Sequence, residues 1–226
     1  MSTVDVDARL LVSLSGITPR TLHRCAELAA ELDRRHVPMT MLFTPRSGDA
    51  ATAWMSGRVR QGDAILLRGN HSRGVDFASL PAHEARLRLI AAVAGLDRAG
   101  LRAEGFAPPG RFASRGTLEA LREHGFGVCA DLAAVHDLRS GAVLRSRVQG
   151  FGSQRQRTET LRCFALVLTA ARAARRSGLV RLGVDADDLL RPGRRQAFLD
   201  AVDVARENGA VPSTYSAIRK RLAVAS

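Results

Sequence analysis

The sequence predicts an α/β fold, a closed or nearly closed βα barrel running through the whole chain. Three observations point there. Short apolar runs alternate with amphipathic segments, the pattern of βα units around a parallel sheet. Six or seven such units follow one another with no shift in composition and no low-complexity insert. At 226 residues and 46% hydrophobic content, the chain can bury one large core.

The elements follow in order. Leu10–Leu14 reads as the first strand; Thr18-Pro19 then reads as an N-cap with proline at the first helical position, ahead of Leu22, Cys25, Ala26, Ala29 and Leu32 at helical spacing. Met39–Phe43 is a second strand ending at Thr44-Pro45-Arg46, Ala53–Arg60 a short helix and Ala64–Leu67 a third strand. Pro81–Arg98 reads as a helix with Leu87, Ile90, Ala91 and Ala94 inward. A fourth strand ends at Phe106, a helix covers Thr117–His124, and Gly127–Ala130 is a fifth strand. The stretch 132–158, with Gly141, Gly150 and Gly152, reads as a short hairpin plus an excursion over one barrel face, and residues 1–8 as a flexible N-terminus. Leu161, Phe164, Ala165, Leu168 and Ala171 line a further helix, Leu179–Val184 is a late strand, and Phe198, Ala201, Val202 and Ala205 face inward from a helix that Gly209 terminates.

Composition narrows the function classes. The N-terminal MSTVDVDARL has no basic region followed by an apolar run, so no secretory signal is expected, and Cys163–Ala171, the longest apolar run, is too short to span a bilayer. Cys25, Cys129 and Cys163 are odd in number and embedded in apolar patterns, which predicts small buried hydrophobes in a reducing, cytoplasmic setting. The net charge of +12 comes almost entirely from arginine and reads as a solvated basic surface. Its densest parts, Arg172, Arg175, Arg176 and Arg181 with Arg191, Arg194 and Arg195, and Arg219-Lys220-Arg221 near the end, leave nucleic-acid or polyanion binding as an alternative.

In a parallel barrel the chemistry collects at the carboxyl ends of the strands. Those ends are Ser13-Leu14-Ser15-Gly16, Thr44-Pro45-Arg46, Arg68-Gly69-Asn70-His71, Ala107-Pro108-Pro109-Gly110-Arg111, Asp131 and Asp185-Ala186-Asp187-Asp188. Several familiar patterns fail on inspection. His83-Glu84 lacks the second histidine of a zincin helix, since Leu87 stands there. Ser13 and Ser15 lack a nucleophile-elbow context, and Gly110 and Gly116 make no phosphate loop. His136-Asp137 reads as a hydrogen-bonded surface turn, His23, His36 and His124 as solvated or capping residues, and the acids at 185–188 as a helix N-terminus rather than a hard-cation site. Trp54 and Tyr215, the single residues of their kinds, leave little surface for stacking sugars or bases.

Gly62-Asp63 before an apolar strand ending in Gly69, "LPAHEARLRL" from Leu80, "FAPP" from Phe106 and "GFGVCAD" from Gly125 together resemble the polysaccharide deacetylase superfamily, in its branch of uncharacterised predicted deacetylases. The resemblance covers about Leu10 to Tyr215. It implies a single distorted (β/α)7 barrel and, in active members, metal-dependent hydrolysis of N-acetyl groups on sugars. Those members are expected to carry a histidine-aspartate pair after the first strand, a His-Gly-x-x-His run after the third and a histidine near the late strand. Here the matching positions hold Ser15-Gly16, Arg68-Gly69-Asn70-His71-Ser72 and the neighbourhood of Asp185.

A hydrolytic zinc site needs about three protein ligands and an open position for water. Glycine offers no ligand, and arginine, always protonated, only donates. The expectation is therefore a barrel without metal or other cofactor, binding an acetylated or anionic carbohydrate through Ser15, Arg68, Asn70 and Arg111, with Arg68 paired to Asp131 or Asp185 across the mouth. The alternative is a working carbohydrate N-deacetylase with zinc or another divalent metal in a rearranged site, or a metal-free one, using His71, Asp131 and Asp185. Oligomeric state is left open.

Overall fold

The computed structural model describes residues 8–45, 47–69, 77–109, 112–151 and 159–222, the side chains of 219–222 excepted. Strands β1 (Arg9–Ser15), β2 (Met39–Phe43), β3 (Ala64–Arg68), β4 (Gly105–Ala107) and β5 (Val128–Ala130) run parallel side by side. On the other side of β1 comes β9 (Leu179–Asp185) and then β8 (Val148–Gln149), both parallel. Beyond β5, the antiparallel strands β6 (Ala134–Asp137) and β7 (Val143–Arg145) form the expected hairpin. A short β10 (Val211–Ser213) pairs with the start of β1. The hydrogen-bonded path runs from β7 to β8 without joining its ends, so the described sheet curls as an incomplete α/β barrel of the (β/α)7 kind.

Helices α1 (Leu22–Arg34), α2 (Asp49–Arg60), α3 (Ala82–Arg98), α4 (Arg115–Glu123), α5 (Glu159–Arg175) and α6 (Pro192–Glu207) follow the strands, and α7 (Tyr215–Leu222) closes the series. Two apolar clusters result. Even-numbered residues of β1 and β9, such as Leu10, Val12, Leu14, Val180, Leu182 and Val184, pack outward against the helices. Inside the curl, Leu11, Leu66, Ala107, Val128 and Ala130 meet Tyr215 and Ile218 of α7, which plugs the interior. The two-residue period of a strand dictates this division.

Four expectations need correction. α1 begins at Leu22, not near Thr18, because Thr21 Oγ1 accepts from the Thr18 amide at 2.9 Å and donates to Gly16 O at 2.7 Å, tying residues 18–21 into a turn at the strand end. Ala26 is exposed on that helix. On α3 the buried residues are Ala85, Leu89, Ala92, Gly95 and Leu96, while Leu87 and Ile90 are 66% and 55% exposed. On α5 they are Leu166, Ala170, Ala171 and Ala174, while Leu161, Phe164 and Leu168 face out. Both helices carry aliphatic residues on more than one face, so periodicity picks no single face; close approach does. A Cβ on Gly95 would lie 2.6 Å from Pro45 Cβ, so only the small-residue side of α3 fits there.

Asp63, part of the family-like pattern, is structural. Its Oδ1 accepts from the Met39 amide at 2.8 Å and its Oδ2 from Arg58 Nε at 2.6 Å. Arg58 also forks onto both oxygens of Asp33 at 2.7 Å each, locking α2 to the base of β2. Cys25 and Cys129 are buried as expected, but Cys163 is only half-buried. Among the described residues no helix is long and apolar enough to cross a membrane.

Candidate functional site

The same strand period that builds the core also builds a cavity of about 610 Å³. Inward-facing residues of the strands supply its floor and one wall: Ser13 and Ser15 from β1, Leu66 and Arg68 from β3, and Arg181, Gly183 and Asp185 from β9. Asp131 follows β5, Pro108 and Pro109 follow β4, and the stretch from Arg147 to Phe151 crosses one side. Arg162, Leu166 and Thr169 of α5 complete it. The volume falls within the range of roughly 300–1,000 Å³ usual for small-molecule sites. Four expected site residues, Ser15, Arg68, Asp131 and Asp185, thus line one space. His71, Asn70 and Arg111 lie outside the described residues.

At the end of β1 the backbone turns at Gly16, whose φ of +74° lies in the left-handed region. The Ser15 hydroxyl donates to Asp185 Oδ2 at 2.7 Å, and the Asp187 amide donates to Oδ1 at 3.1 Å. The Asp185 carboxylate fills the space next to Gly16 so closely that a Cβ there would sit 2.6 Å from Oδ1. Position 16 therefore has no room for a liganding side chain while Asp185 holds this pose.

Asp131 faces two ways. Its carboxylate turns back onto its own loop, Oδ1 accepting from the amides of Ala133 at 2.8 Å and Ala134 at 2.7 Å, and Oδ2 lying 2.9 Å from His136 Nε2. Burial pushes this carboxyl up, but the His136 ring and the two amides outweigh it and hold its pKa below the ordinary aspartate range. Its carbonyl oxygen accepts from Arg181 Nη2 at 2.6 Å in the interior. The sequence expectation for His136-Asp137 is corrected here. Both residues sit in strand β6, and they do not act together: the ring pairs with Asp131, while buried Asp137 accepts from the Arg139 amide at 2.9 Å and so fixes the hairpin turn.

Arg181 was expected in a surface cluster and is instead fully buried, because an odd position of β9 points into the curl. Its Nε donates to Tyr215 Oη at 3.1 Å and its Nη1 to Ser146 O at 2.5 Å, with the guanidinium carbon 5.4 Å from the Tyr215 ring centre. Arg194 is buried as well, paired with Asp188 and lying over the Phe151 ring. Burial raises the Asp188 carboxyl, partly offset by Arg194. Arg172, Arg175 and Arg176 are exposed as expected. Sequence reading missed Arg147, Gln149, Arg162, Asp188 and Tyr215 as cavity residues, and placed Arg181 wrongly. One signal was there: Arg181, Gly183 and Asp185 alternate along one strand, sharing the face of a residue already singled out.

Among the described residues no group of three His, Cys, Asp or Glu side chains converges to hold a metal ion. Among the described residues, the positions where the resemblance puts ligands hold the Ser15 hydroxyl, Gly16, the Arg68 guanidinium and, near the late strand, the Asp185 carboxylate, while His71 and Ser72 lie outside them. The described donors by themselves fall short of the roughly three ligands a hydrolytic zinc needs.

No family model matches the chain, and no curated protein matches it. Solved structures do. A Mycobacterium smegmatis protein provisionally assigned as a polysaccharide deacetylase superposes with a TM-score of 0.78 at 16% identity, over 100% of this chain and 93% of the other. The chain has the fold of the polysaccharide deacetylases. A family 4 acetyl xylan esterase from Clostridium thermocellum, solved with a cobalt ion, shares this deacetylase fold at a TM-score of 0.58 and 17% identity, over 92% and 89% of the two chains. A family 4 carbohydrate esterase pseudoenzyme shares it at 0.64 and 11%, over 94% of this chain and 67% of its own.

Proposed function

We propose that this deacetylase-type barrel binds an acetylated or anionic carbohydrate in its cavity and performs no metal-dependent hydrolysis. The observation that carries the reading is at Gly16, where the Asp185 carboxylate, held by Ser15, takes the space that a ligand side chain would enter. Arg68, standing where the resemblance expects a ligand histidine, lines the same cavity and, always protonated, offers no lone pair to a metal. A pseudoenzyme of the same fold supports such a loss of chemistry with retention of the barrel. Ser15, Arg68, Asn70 and Arg111 are the residues assigned to the ligand. Three free thiols support a reducing, cytoplasmic setting.

The test pairs metal analysis of the purified protein with binding and acetate-release assays on N-acetylglucosamine oligomers. The expected result is saturable binding that a chelator leaves unchanged, with no acetate released on adding zinc. Stoichiometric zinc together with turnover that disappears in His71→Ala would overturn the reading in favour of a rearranged active site.

A further inference from the structure

We propose that the outer face of α5 docks on an anionic lipid bilayer, its apolar side chains entering the headgroup layer while arginines at its C-terminal end meet the lipid phosphates. Leu161, Phe164, Ala165 and Leu168 recur along α5 at i, i+3, i+4 and i+7, which is one stripe of a helix. That stripe faces solvent: Leu161 is 70%, Phe164 64% and Leu168 52% exposed, and Ala165 is exposed beside them. A continuous outward apolar stripe marks a contact surface, since water leaves each of these side chains without the burial that would stabilise it.

Charge decides which surface. The same stripe runs on into Arg172 and Arg175, with Arg176 just past the helix end, and all three are exposed. Arg175 donates to the neutral Asn208 side chain at 2.8 Å, and none of the three is paired with a carboxylate among the described residues. Glu159, the acid of this helix, is turned to Arg191 and Arg194. Alongside, α6 exposes Asp200 and Glu207 with Arg206, which leaves the face positive. Arginine suits a bilayer edge because its stem lies along apolar lipid while its guanidinium reaches phosphate. Helix α3 makes the contrast: Leu87, Ile90, Ala91 and Ala94 also face out, but Asp97 with Arg98 and the Glu84–Arg88 pair border them, and Arg86 is taken by Glu123, so that face carries no net attraction for anions. Ala165 and Thr169, at the edge of the α5 stripe, also line the cavity, so docking sets that wall against the headgroups.

Co-sedimentation of the full chain with vesicles tests this, using phosphatidylcholine alone or mixed equally with phosphatidylglycerol. The anionic vesicles are expected to hold the chain roughly tenfold or more tightly than the neutral ones. Phe164→Gln combined with Leu168→Gln should lose about tenfold or more on the anionic vesicles, and Arg172→Glu combined with Arg176→Glu a similar factor. Leu87→Gln combined with Ile90→Gln on α3 should change nothing. All of these positions are exposed, so each variant should keep the circular dichroism spectrum of the parent. Absence of binding to anionic vesicles at low salt overturns the proposal. Anionic binding that the α5 glutamines leave unchanged overturns it too, being adsorption of a +12 chain by charge alone. Self-association that the same glutamines abolish, read by sedimentation equilibrium, also overturns it, because a second copy then covers the stripe.

Discussion

The Ser15 hydroxyl donates to Asp185 Oδ2 at 2.7 Å across the parallel pairing of β1 with β9, where these two residues are direct register partners. The bond depends on Gly16, which leaves the carboxylate its space. Substituting Gly16→Asp is expected to destabilise the fold by about 1–3 kcal/mol through left-handed backbone strain and the clash with Asp185, and to confer no zinc-dependent hydrolysis. Chemical denaturation and acetate release measure the two parts. Adding Asp185→Ala should recover part of the lost stability, since it removes the clash but not the strain.

Arg58 gives a sharper stability test. Arg58→Met leaves the buried carboxylate of Asp63 without its cation, and the loss should be roughly 3–5 kcal/mol. Asp33, on the exposed side of the same guanidinium, is half-exposed, so Asp33→Asn should cost about 1 kcal/mol or less. Urea midpoints of the two variants should differ in that order.

Asp131 links stability to pH. Its folded carboxyl titrates below the ordinary value of 3.8, so folding favours the ionised form. That contribution is complete above 3.8 and is lost as the pH falls through the lower folded value. Urea midpoints followed down into acid should fall less steeply for Asp131→Asn than for the parent chain, because the variant has no such carboxyl to protonate.

The thiols differ in reach. Burial pushes Cys25 up to about 11, and Cys129 is pushed up further by complete burial. Thiolate is the reactive form, so both should resist alkylation in the native protein. Cys163, half-buried, should label first. Mass spectrometry after brief iodoacetamide treatment should find one modified cysteine, and all three after unfolding.

On α5 the two faces should respond oppositely. Leu166→Ala should cost roughly 2–4 kcal/mol, as expected for a buried leucine. Leu168→Gln, on the exposed side, should change stability by less than about 0.5 kcal/mol. Thermal melts of the pair decide which face packs.

Most strands and their ends were legible in the sequence because short, mostly apolar stretches, such as Leu10–Leu14 of β1 and Leu179–Val184 of β9, alternate with amphipathic helices. Reading along those ends brought Ser15, Arg68, Asp131 and Asp185 to one cavity. Arg181 was misplaced because an arginine after an arginine-rich helix end looks solvated, although its even spacing from Asp185 along β9 puts both on the inward face. The packing faces of α3 and α5 were misread because each helix carries aliphatic residues on more than one face, leaving closeness of approach to decide, and periodicity carries no information on that. The partner of Asp131 lay five residues on, across a turn whose geometry two backbone amides set.

The sheet places its first strand in its interior, flanked by β2 and β9, with β10 beside its start. During synthesis, then, Ser15 leaves the ribosome 170 residues ahead of the carboxylate it will hold, and Tyr215, the hydroxyl against Arg181, emerges later still. Nascent chains stalled before that helix should hold an unfinished curl, with the arginine in β9 open to water until the helix carrying Tyr215 has emerged.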